Sequence, residues 1–153
     1  WSDSDKLPWG ILILFGGGLS IAAQINSSGL GIWIGEGLSV LSTVPPIFLI
    51  LAVAALIIFL TEVTSNVATT STFLPVFGAV AVGIGVLPVS LTVPVCLAAS
   101  CAFMLPVATP PNAIVYGSGK FTIATMMKAG FALNIIGIVV VTLFAYYLAP
   151  LIF

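Results

Sequence analysis

Long apolar runs separated by short polar stretches make up most of the chain, and they predict helices of membrane-spanning length. A spanning helix needs about 20 mainly apolar residues, and residues 7–25 form the first run of that kind. The polar residues 26–29 follow as a turn signal. The short segment 31–41, which carries Trp33 and Glu36, is predicted to be an interfacial helix lying along the membrane surface.

The next two apolar runs, residues 47–60 and 73–87, predict a helical hairpin. The polar stretch between them, residues 61–72, contains seven hydroxyl side chains and one Asn, without Gly, Pro or Lys. This composition is unlike that of an ordinary extramembrane loop. The hairpin is either two full spans or a re-entrant pair whose tip stops near the midplane of the bilayer.

The last third of the chain predicts a broken helix followed by a long span. Residues 88–107 form a fourth apolar run, which is interrupted at residues 108–112 and continues as residues 113–116. Pro110 and Pro111 remove two backbone donors and are expected to break the helix. After the polar loop 117–120, residues 123–153 predict a final span, in which Tyr146 and Tyr147 are typical of the membrane interface.

Composition places these helices in a bilayer. Hydrophobic residues make up 61% of the chain and charged residues 5%, against about 25% charged in soluble proteins. The expected fold class is an all-α integral membrane protein. A net charge of −1 offers no basic patch for nucleic acid, and the absence of His largely excludes zinc and imidazole chemistry. We therefore expect no catalytic residues, no enzyme activity and no organic cofactor, and we interpret Cys96 and Cys101 as small apolar side chains.

Counting the predicted crossings places Lys6, Lys120 and Lys128 on one side of the membrane. The positive-inside rule makes that side cytoplasmic and puts the carboxyl terminus outside, in a multi-pass protein of the plasma (cell inner) membrane. The chain begins at Trp1 without an initiator Met, which suggests a piece of something longer.

The two polar interruptions, residues 61–72 and 108–112, are the predicted functional sites. A helix that begins at membrane depth exposes unpaired N–H groups that attract an anion, and one that ends there offers carbonyls that suit Na⁺. Some hydroxyls, such as those of Ser71 and Thr72, are expected only to bond back to their own helix. The Pro110–Pro111 pair could be a structural kink alone. Two roles stay open for Glu62, a functional intramembrane carboxylate or a brace for the hairpin.

Two motifs resemble the signatures of the divalent anion/sodium symporters, solute carrier family 13, and especially their di- and tricarboxylate branch. Residues 64–67, Thr-Ser-Asn-Val, resemble the family's Ser-Asn-Thr motif at a hairpin tip, although Val67 stands where many members have Thr. The segment 99–115 resembles the second signature, and residues 7–10 and 15–18 match as well, so that the likeness covers essentially the whole chain. The signature positions matched in the second motif are Ser100, Phe103, Pro106, Asn112 and Val115.

The resemblance implies the carboxyl-terminal half of an elevator-type transporter built from inverted repeats. Residues 1–44 would be a scaffold span and interfacial arm, residues 45–87 the re-entrant hairpin, and residues 88–153 the broken helix and last span of the transport domain. The implied function is sodium-coupled symport of carboxylates of the succinate, malate and fumarate class, with Na⁺ as the coupling ion. The implied partners are the bilayer, the amino-terminal half of the same protein and a second copy in a homodimer.

The resemblance also assigns site residues. Glu62 and Asn112 are expected to support the ligands without contacting them. The implied substrate-binding residues are Ser65, Asn66, Val67, Thr109 and Pro110. The implied Na⁺-binding residues, which act partly through their backbone carbonyls, are Thr61, Thr64, Asn66 and Ala108.

Other functions remain open from the sequence. Within the same fold, the alternatives are a sulfate or citrate symporter and a Na⁺-independent carboxylate exchanger, although residues 107–109 favour carboxylates. In another class, the chain could be an ion channel subunit with the hairpin as its filter, but filters use rings of carbonyls or charges, and neither interruption is rich in Gly.

Overall fold

A computed structural model describes residues 44–152 continuously, together with positions 13, 16, 17, 20, 23, 24, 27–30 and 33. The rest of the predicted first span, residues 7–25, and of the predicted interfacial helix, residues 31–41, lies outside the described residues. Gly29 has a φ of 73°, a conformation that glycine adopts without strain. It lies in the predicted turn, residues 26–29.

The regular structure of residues 44–152 is entirely helical, as the apolar runs predict. We number the helices in chain order. They are α1 (Pro46–Thr61), α2 (Asn66–Gly83), α3 (Val89–Ala98), α4 (Pro110–Gly117), α5 (Ile123–Leu143) and α6 (Ala149–Ile152), with a π-helix (Phe144–Leu148) between α5 and α6.

The hairpin tip between α1 and α2 is much shorter than the polar stretch suggested. Only residues 62–65 link the two helices, because α2 already begins at Asn66. Residues 66–72, expected as part of the tip, form the first two turns of α2. The side chains of Thr70 and Ser71 bond back to the carbonyls of Asn66 and Val67, at 2.8 and 2.7 Å, so for Ser71 the local interpretation was right.

Helix α2 ends in a Schellman motif. The Gly85 N–H donates to the Val82 carbonyl at 3.1 Å, and the Val86 N–H donates to the Ala81 carbonyl at 2.9 Å. This pairing needs a residue with positive φ just past the helix, and Gly85 supplies it with a φ of 77°. The chain turns back there, and α2 packs along α3.

Helix α3 ends at Ala98, nine residues before the expected position, Val107. The prediction that Pro110 and Pro111 break the helix was therefore wrong. They form the first turn of α4 instead, where a missing N–H has no cost and the fixed φ suits the helix. Pro106 opposes a helix through residues 102–105, because proline disfavours helical backbone in the residue before it and cannot donate to the carbonyl four residues earlier. The end at Ala98 lies further upstream and depends on contacts with other segments.

The final span extends over 30 residues through α5, the π-helix and α6. The π-helical turn lies immediately before Pro150, whose missing N–H cannot bond the Tyr146 carbonyl. By length and composition, this segment and α2 could each cross a membrane. Helix α1, with 16 residues, is about 24 Å long and shorter than the hydrocarbon core of a typical bilayer.

Helices α1, α3 and α5 meet in a buried apolar core. Its least exposed side chains include Ile57, Ile58, Leu91 and Val95. Helix α5 also contacts the irregular segment after α3 through Gly130. A Cβ atom at Gly130 would lie 2.2 Å from the Phe103 carbonyl oxygen, so only glycine permits this approach.

We predict that Gly130→Ala in the full-length protein lowers the melting temperature by several degrees, because the added methyl group must displace backbone. Gly137→Ala on the same helix is the matched control. A Cβ there would lie 3.6 Å from the Ile58 side chain, an ordinary contact, and replacing Gly in a helix by Ala contributes up to about 1 kcal/mol of stability. Thermal unfolding of the two purified variants would compare them, and equal stability would contradict the close packing of α5 on Phe103.

Candidate functional site

A cavity of about 890 Å³ lies between the hairpin tip and the segment that joins α3 to α4. Its size falls in the range of small-molecule sites in proteins. The lining comes from both predicted polar interruptions, which the fold brings together although they are more than 30 residues apart in sequence. The lining residues are Val63, Thr64, Ser65, Asn66, Val67, Ser100, Ala102, Phe103, Val107, Ala108, Thr109, Pro110, Pro111 and Asn112.

Thr61 joins the three segments that surround the cavity. Its hydroxyl, in a fully buried residue, lies 2.7 Å from Asn66 Oδ1 at the start of α2 and 3.0 Å from the Ala99 carbonyl oxygen after α3. Three oxygens therefore surround a single hydroxyl proton. Lone pairs remain on all three, and such neutral oxygens are ligands for hard cations.

The hydroxyl of Thr64 already has hydrogen-bond partners within the protein. Its Oγ1 donates to the Leu60 carbonyl at 2.9 Å and lies 2.6 Å from Thr69 Oγ1. The hydroxyl thus ties α1 to α2 across the tip. A cation at this position would meet the backbone carbonyl of Thr64 rather than its side chain.

The amino terminus of α2 presents free backbone donors to the cavity. Its cap, Ser65, makes no side-chain hydrogen bond to the helix, and the first backbone bond of the helix runs from Thr69 N–H to the Ser65 carbonyl at 2.8 Å. The preceding amides, those of Asn66, Val67 and Ala68, therefore have no partner within the helix. Free amides at the positive end of a helix dipole are groups that attract anions.

The amino terminus of α4 lacks such donors, contrary to the expectation for both interruptions. Pro110 and Pro111 have no N–H, and the Asn112 N–H donates to Thr109 Oγ1 at 3.4 Å. Since Thr109 accepts that bond, its own hydroxyl proton can be donated to a ligand in the cavity. The Asn112 N–H, which would be the α-helical donor to the Ala108 carbonyl four residues earlier, donates to Thr109 Oγ1 instead, and Ala108 lines the cavity.

Two side chains hold the segment between α3 and α4 in place. Asn112 Nδ2 donates to the carbonyls of Ala102 and Leu105, at 2.9 and 3.0 Å. The Glu62 carboxylate accepts from the backbone N–H groups of the same segment. Asn112 lines the cavity and Glu62 does not, so the expected supporting position describes Glu62 better than Asn112.

The structure gathers all eight residues that were assigned as ligands around or beside one cavity. The lining includes Ser65, Asn66, Val67, Thr109 and Pro110 from the substrate set, and Thr64, Asn66 and Ala108 from the Na⁺ set. Thr61 is buried behind it. No cluster of three or more His, Cys, Asp or Glu side chains occurs among the described residues, so a cation here would depend on neutral oxygens.

Three residues with a place in this site were given no role from the sequence. Ser100 and Phe103 line the cavity; the second motif contained both, and that was their only signal. Asn134 on α5 is fully buried and donates to the Glu62 carboxylate at 2.8 Å. A lone Asn in an apolar span was its signal, because polar side chains in membrane helices usually have a partner.

Comparison with known proteins identifies the family. A family model described as the sodium:sulfate symporter transmembrane region matches residues 1–153, the whole chain. The sodium-dependent dicarboxylate transporter SdcS of Staphylococcus saprophyticus is 48% identical over 150 residues, which are 98% of this chain. The chain belongs to the divalent anion/sodium symporter family. The predicted resemblance is thereby confirmed, and with it an all-helical protein of the membrane.

The relatives of this symporter chain are transporters and not enzymes, as expected. The SdcS protein of Staphylococcus aureus strain MRSA252 is 47% identical over 152 residues, 99% of this chain. In both relatives the match covers 29% of the protein's length. The chain therefore spans a smaller share of these relatives than the half that we expected.

We predict that Asn112→Ala destabilises the full-length protein by roughly 2 kcal/mol or more, because the Ala102 and Leu105 carbonyls each lose a donor. Ser118→Ala, at the end of the same helix, is the control. Its exposed hydroxyl makes only local bonds, donating to the Val115 carbonyl and accepting from the Lys120 N–H, and a change there should stay within about 0.5 kcal/mol. Denaturant or thermal unfolding would measure both. An Asn112→Ala variant as stable as Ser118→Ala would mean that the two carbonyls do not depend on Asn112.

Proposed function

We propose that this chain is the carboxyl-terminal part of a sodium-coupled symporter for di- or tricarboxylates of the succinate, malate and fumarate class. One observation carries the proposal. Free amides at the start of α2 and a set of neutral oxygens around Thr61 adjoin the same cavity. An anion and a cation can therefore bind side by side.

The anion would be held by the start of α2 and by Thr109. Helix amides, the Ser65 and Thr109 hydroxyls and the Asn66 side-chain amide supply donors for carboxylate oxygens without a buried Arg. Val67 contributes its backbone N–H, because its side chain has no hydroxyl. Pro110 would form part of the cavity wall that faces the start of α2. The dipole of α4 would add to the positive potential in the cavity.

Sodium would bind among oxygens of the hairpin tip and of the segment before α4. The proposed ligands are the oxygens of Thr61, the Thr64 carbonyl, Asn66 Oδ1 and the Ala108 carbonyl. Secondary transporters coordinate Na⁺ with the backbone carbonyls of unwound helix segments and with the carboxyl-terminal ends of half-helices. The Thr64 hydroxyl already bonds to Leu60 and Thr69, which supports coordination through the Thr64 carbonyl, and the carbonyl is the oxygen that Ala108 can offer.

Coupling would follow from Asn66, which belongs to both proposed sites. Its Oδ1 faces Thr61, and its backbone N–H is among the free donors of α2. Bound Na⁺ would order the hairpin tip that binds the anion, and linkage requires substrate to raise Na⁺ affinity by the same factor.

The architecture of the whole transporter is also a proposal. The short α1 and the four-residue tip support a re-entrant hairpin, as part of an elevator-type transport domain. The remaining two-thirds or so of the protein would supply the other inverted repeat, and two copies would form a homodimer. Exposed Lys120 and Lys128 would face the cytoplasm of a plasma membrane, with the carboxyl terminus outside.

Dicarboxylates are preferred to sulfate, citrate or Na⁺-independent exchange for two reasons. The similar relatives are named as sodium-dependent dicarboxylate transporters, and residues 107–109 match that branch. A channel is not favoured, because no ring of carbonyls or charges lines the described cavity.

The direct test is uptake by the full-length protein in proteoliposomes. We expect succinate uptake that saturates and requires an inward Na⁺ gradient, with little sulfate uptake. This chain reconstituted alone should not transport, because it holds only part of the protein. Sulfate uptake in place of succinate would overturn the substrate class, uptake without Na⁺ would overturn the coupling, and non-saturating flux would indicate a channel.

A second prediction concerns Asn66. Asn66→Ala in the full-length protein should lower substrate affinity about tenfold or more, since each hydrogen bond to a charged group contributes roughly 1.5–3 kcal/mol. Apparent Na⁺ affinity should fall as well, with little loss of folded protein. Ser71→Ala, one turn along α2, removes a hydroxyl that serves only its own helix and should leave the uptake kinetics unchanged. Normal kinetics in Asn66→Ala would exclude Asn66 from both proposed sites.

A further inference from the structure

Glu62 is an acidic side chain buried beside the cavity rather than in it. It follows the last residue of α1 and is 4% exposed. Its Oε1 accepts hydrogen bonds from the N–H groups of Phe103 and Met104, at 2.7 and 2.9 Å, and its Oε2 accepts from Leu105 N–H at 3.0 Å. Every one of these donors lies more than 40 residues away along the chain.

Three consecutive backbone amides that converge in this way form an anion-binding concavity of the kind that holds phosphate in other proteins. Here a carboxylate of the same chain fills it. Hydrogen bonds to a charged acceptor are roughly twice as strong as neutral ones. The bonds from Glu62 to the segment between α3 and α4 are therefore stronger than the bonds from the neutral Asn112 side chain to the same segment.

Helix α5 encloses this contact from the other side. Asn134, which is fully buried, donates through Nδ2 to Glu62 Oε1 at 2.8 Å. One turn earlier, Gly130 lets the α5 backbone lie directly against Phe103 and Met104. We call Glu62, Asn134 and the amides of residues 103–105 the Glu62 brace.

The Glu62 brace extends to the wall of the cavity. Phe103 itself lines the cavity. The carbonyls of Ala102 and Leu105, on either side of the braced amides, accept from Asn112 in the first turn of α4. A displacement of residues 103–105 would therefore move Asn112, and with it Thr109, which caps the same turn.

We propose that Glu62 is a positioning residue for transport. It fixes the wall that carries Ala108 and Thr109 at the right distance from the hairpin tip, and it fills three amides that would otherwise attract the anionic substrate to an unproductive position. This inference rests on the proposed function. It distinguishes Glu62 from the ligands themselves, because its carboxylate touches neither substrate nor ion.

The test uses full-length Glu62→Gln and Asn134→Ala, with Thr142→Val as the matched control. Gln keeps the length of the side chain but replaces one acceptor oxygen by an amide that faces an N–H group. Asn134→Ala removes one donor and leaves all three backbone bonds. Thr142 lies on α5 and is 3% exposed, and its hydroxyl has no hydrogen-bond partner among the described residues, so Val there should change nothing.

Two measurements are made on each variant. Hydrogen–deuterium exchange of the peptide that contains residues 103–105 reports the brace without reference to transport. We expect exchange about tenfold faster in Glu62→Gln, which corresponds to one lost bond to a charged group, and a smaller increase in Asn134→Ala. Uptake kinetics should show the KM for succinate and the half-saturating Na⁺ concentration raised about tenfold in Glu62→Gln, with the maximal rate per folded transporter changed much less.

The outcomes separate this inference from the proposed function. Absence of Na⁺-dependent succinate uptake by the unsubstituted protein refutes the proposed function, and exchange then decides whether the brace exists. Faster exchange with unchanged KM and Na⁺ dependence would make Glu62 a stabilising residue only and overturn the positioning role. Unchanged exchange would overturn the brace itself. If Glu62→Gln does not fold, Asn134→Ala decides by the same two measurements, with about a threefold rise in KM as the expected effect.

Discussion

In a continuous helix, the Phe103 N–H would donate to the Ala99 carbonyl. Here two neighbouring side chains at the end of α1, those of Thr61 and Glu62, take the place of that bond. Thr61 lies within hydrogen-bond distance of that carbonyl, and Glu62 accepts from that N–H. In a bilayer an interrupted helix persists only where its freed backbone groups find partners. Asn112 completes the set, since it donates to the Ala102 carbonyl that Pro106 cannot serve. The irregular segment between α3 and α4 depends on these contacts, and the cavity depends on that segment.

The two helices that begin at the cavity are chemically different, although both follow a polar interruption. Helix α2 starts with an uncapped turn whose amides are free, whereas α4 starts with two prolines and a side-chain cap. The first suits an anion, and the second leaves the Ala108 carbonyl available to a cation. This asymmetry places proposed anion and cation sites next to each other rather than giving two equivalent anion sites. It is also the physical basis for the proposed coupling through Asn66, which belongs to both proposed sites.

Membership of the divalent anion/sodium symporter family agrees with this arrangement of donors and acceptors. A protein with no Arg in this chain can still bind a carboxylate, because helix amides and hydroxyls supply the donors. The single buried acidic side chain at the site does not oppose the substrate, since its charge is already satisfied by backbone amides and Asn134. The negative charge of Glu62 is thus bonded to the wall and leaves the free amides of α2 available to the proposed anion.

The sequence by itself determined the helical membrane class, the two helices on either side of a polar tip and the family, because hydrophobic run length and local motifs are properties of neighbouring residues. It also identified most of the cavity lining. Only the tertiary structure decided that α3 ends at Ala98, that the Thr64 hydroxyl is occupied, and that Glu62 is joined to residues 103–105 and to Asn134. Each of these depends on partners in another segment or helix, as with Glu62 and Asn134, which are 72 residues apart. Hydrophobic periodicity contains no information about which distant backbone group a buried polar side chain will meet.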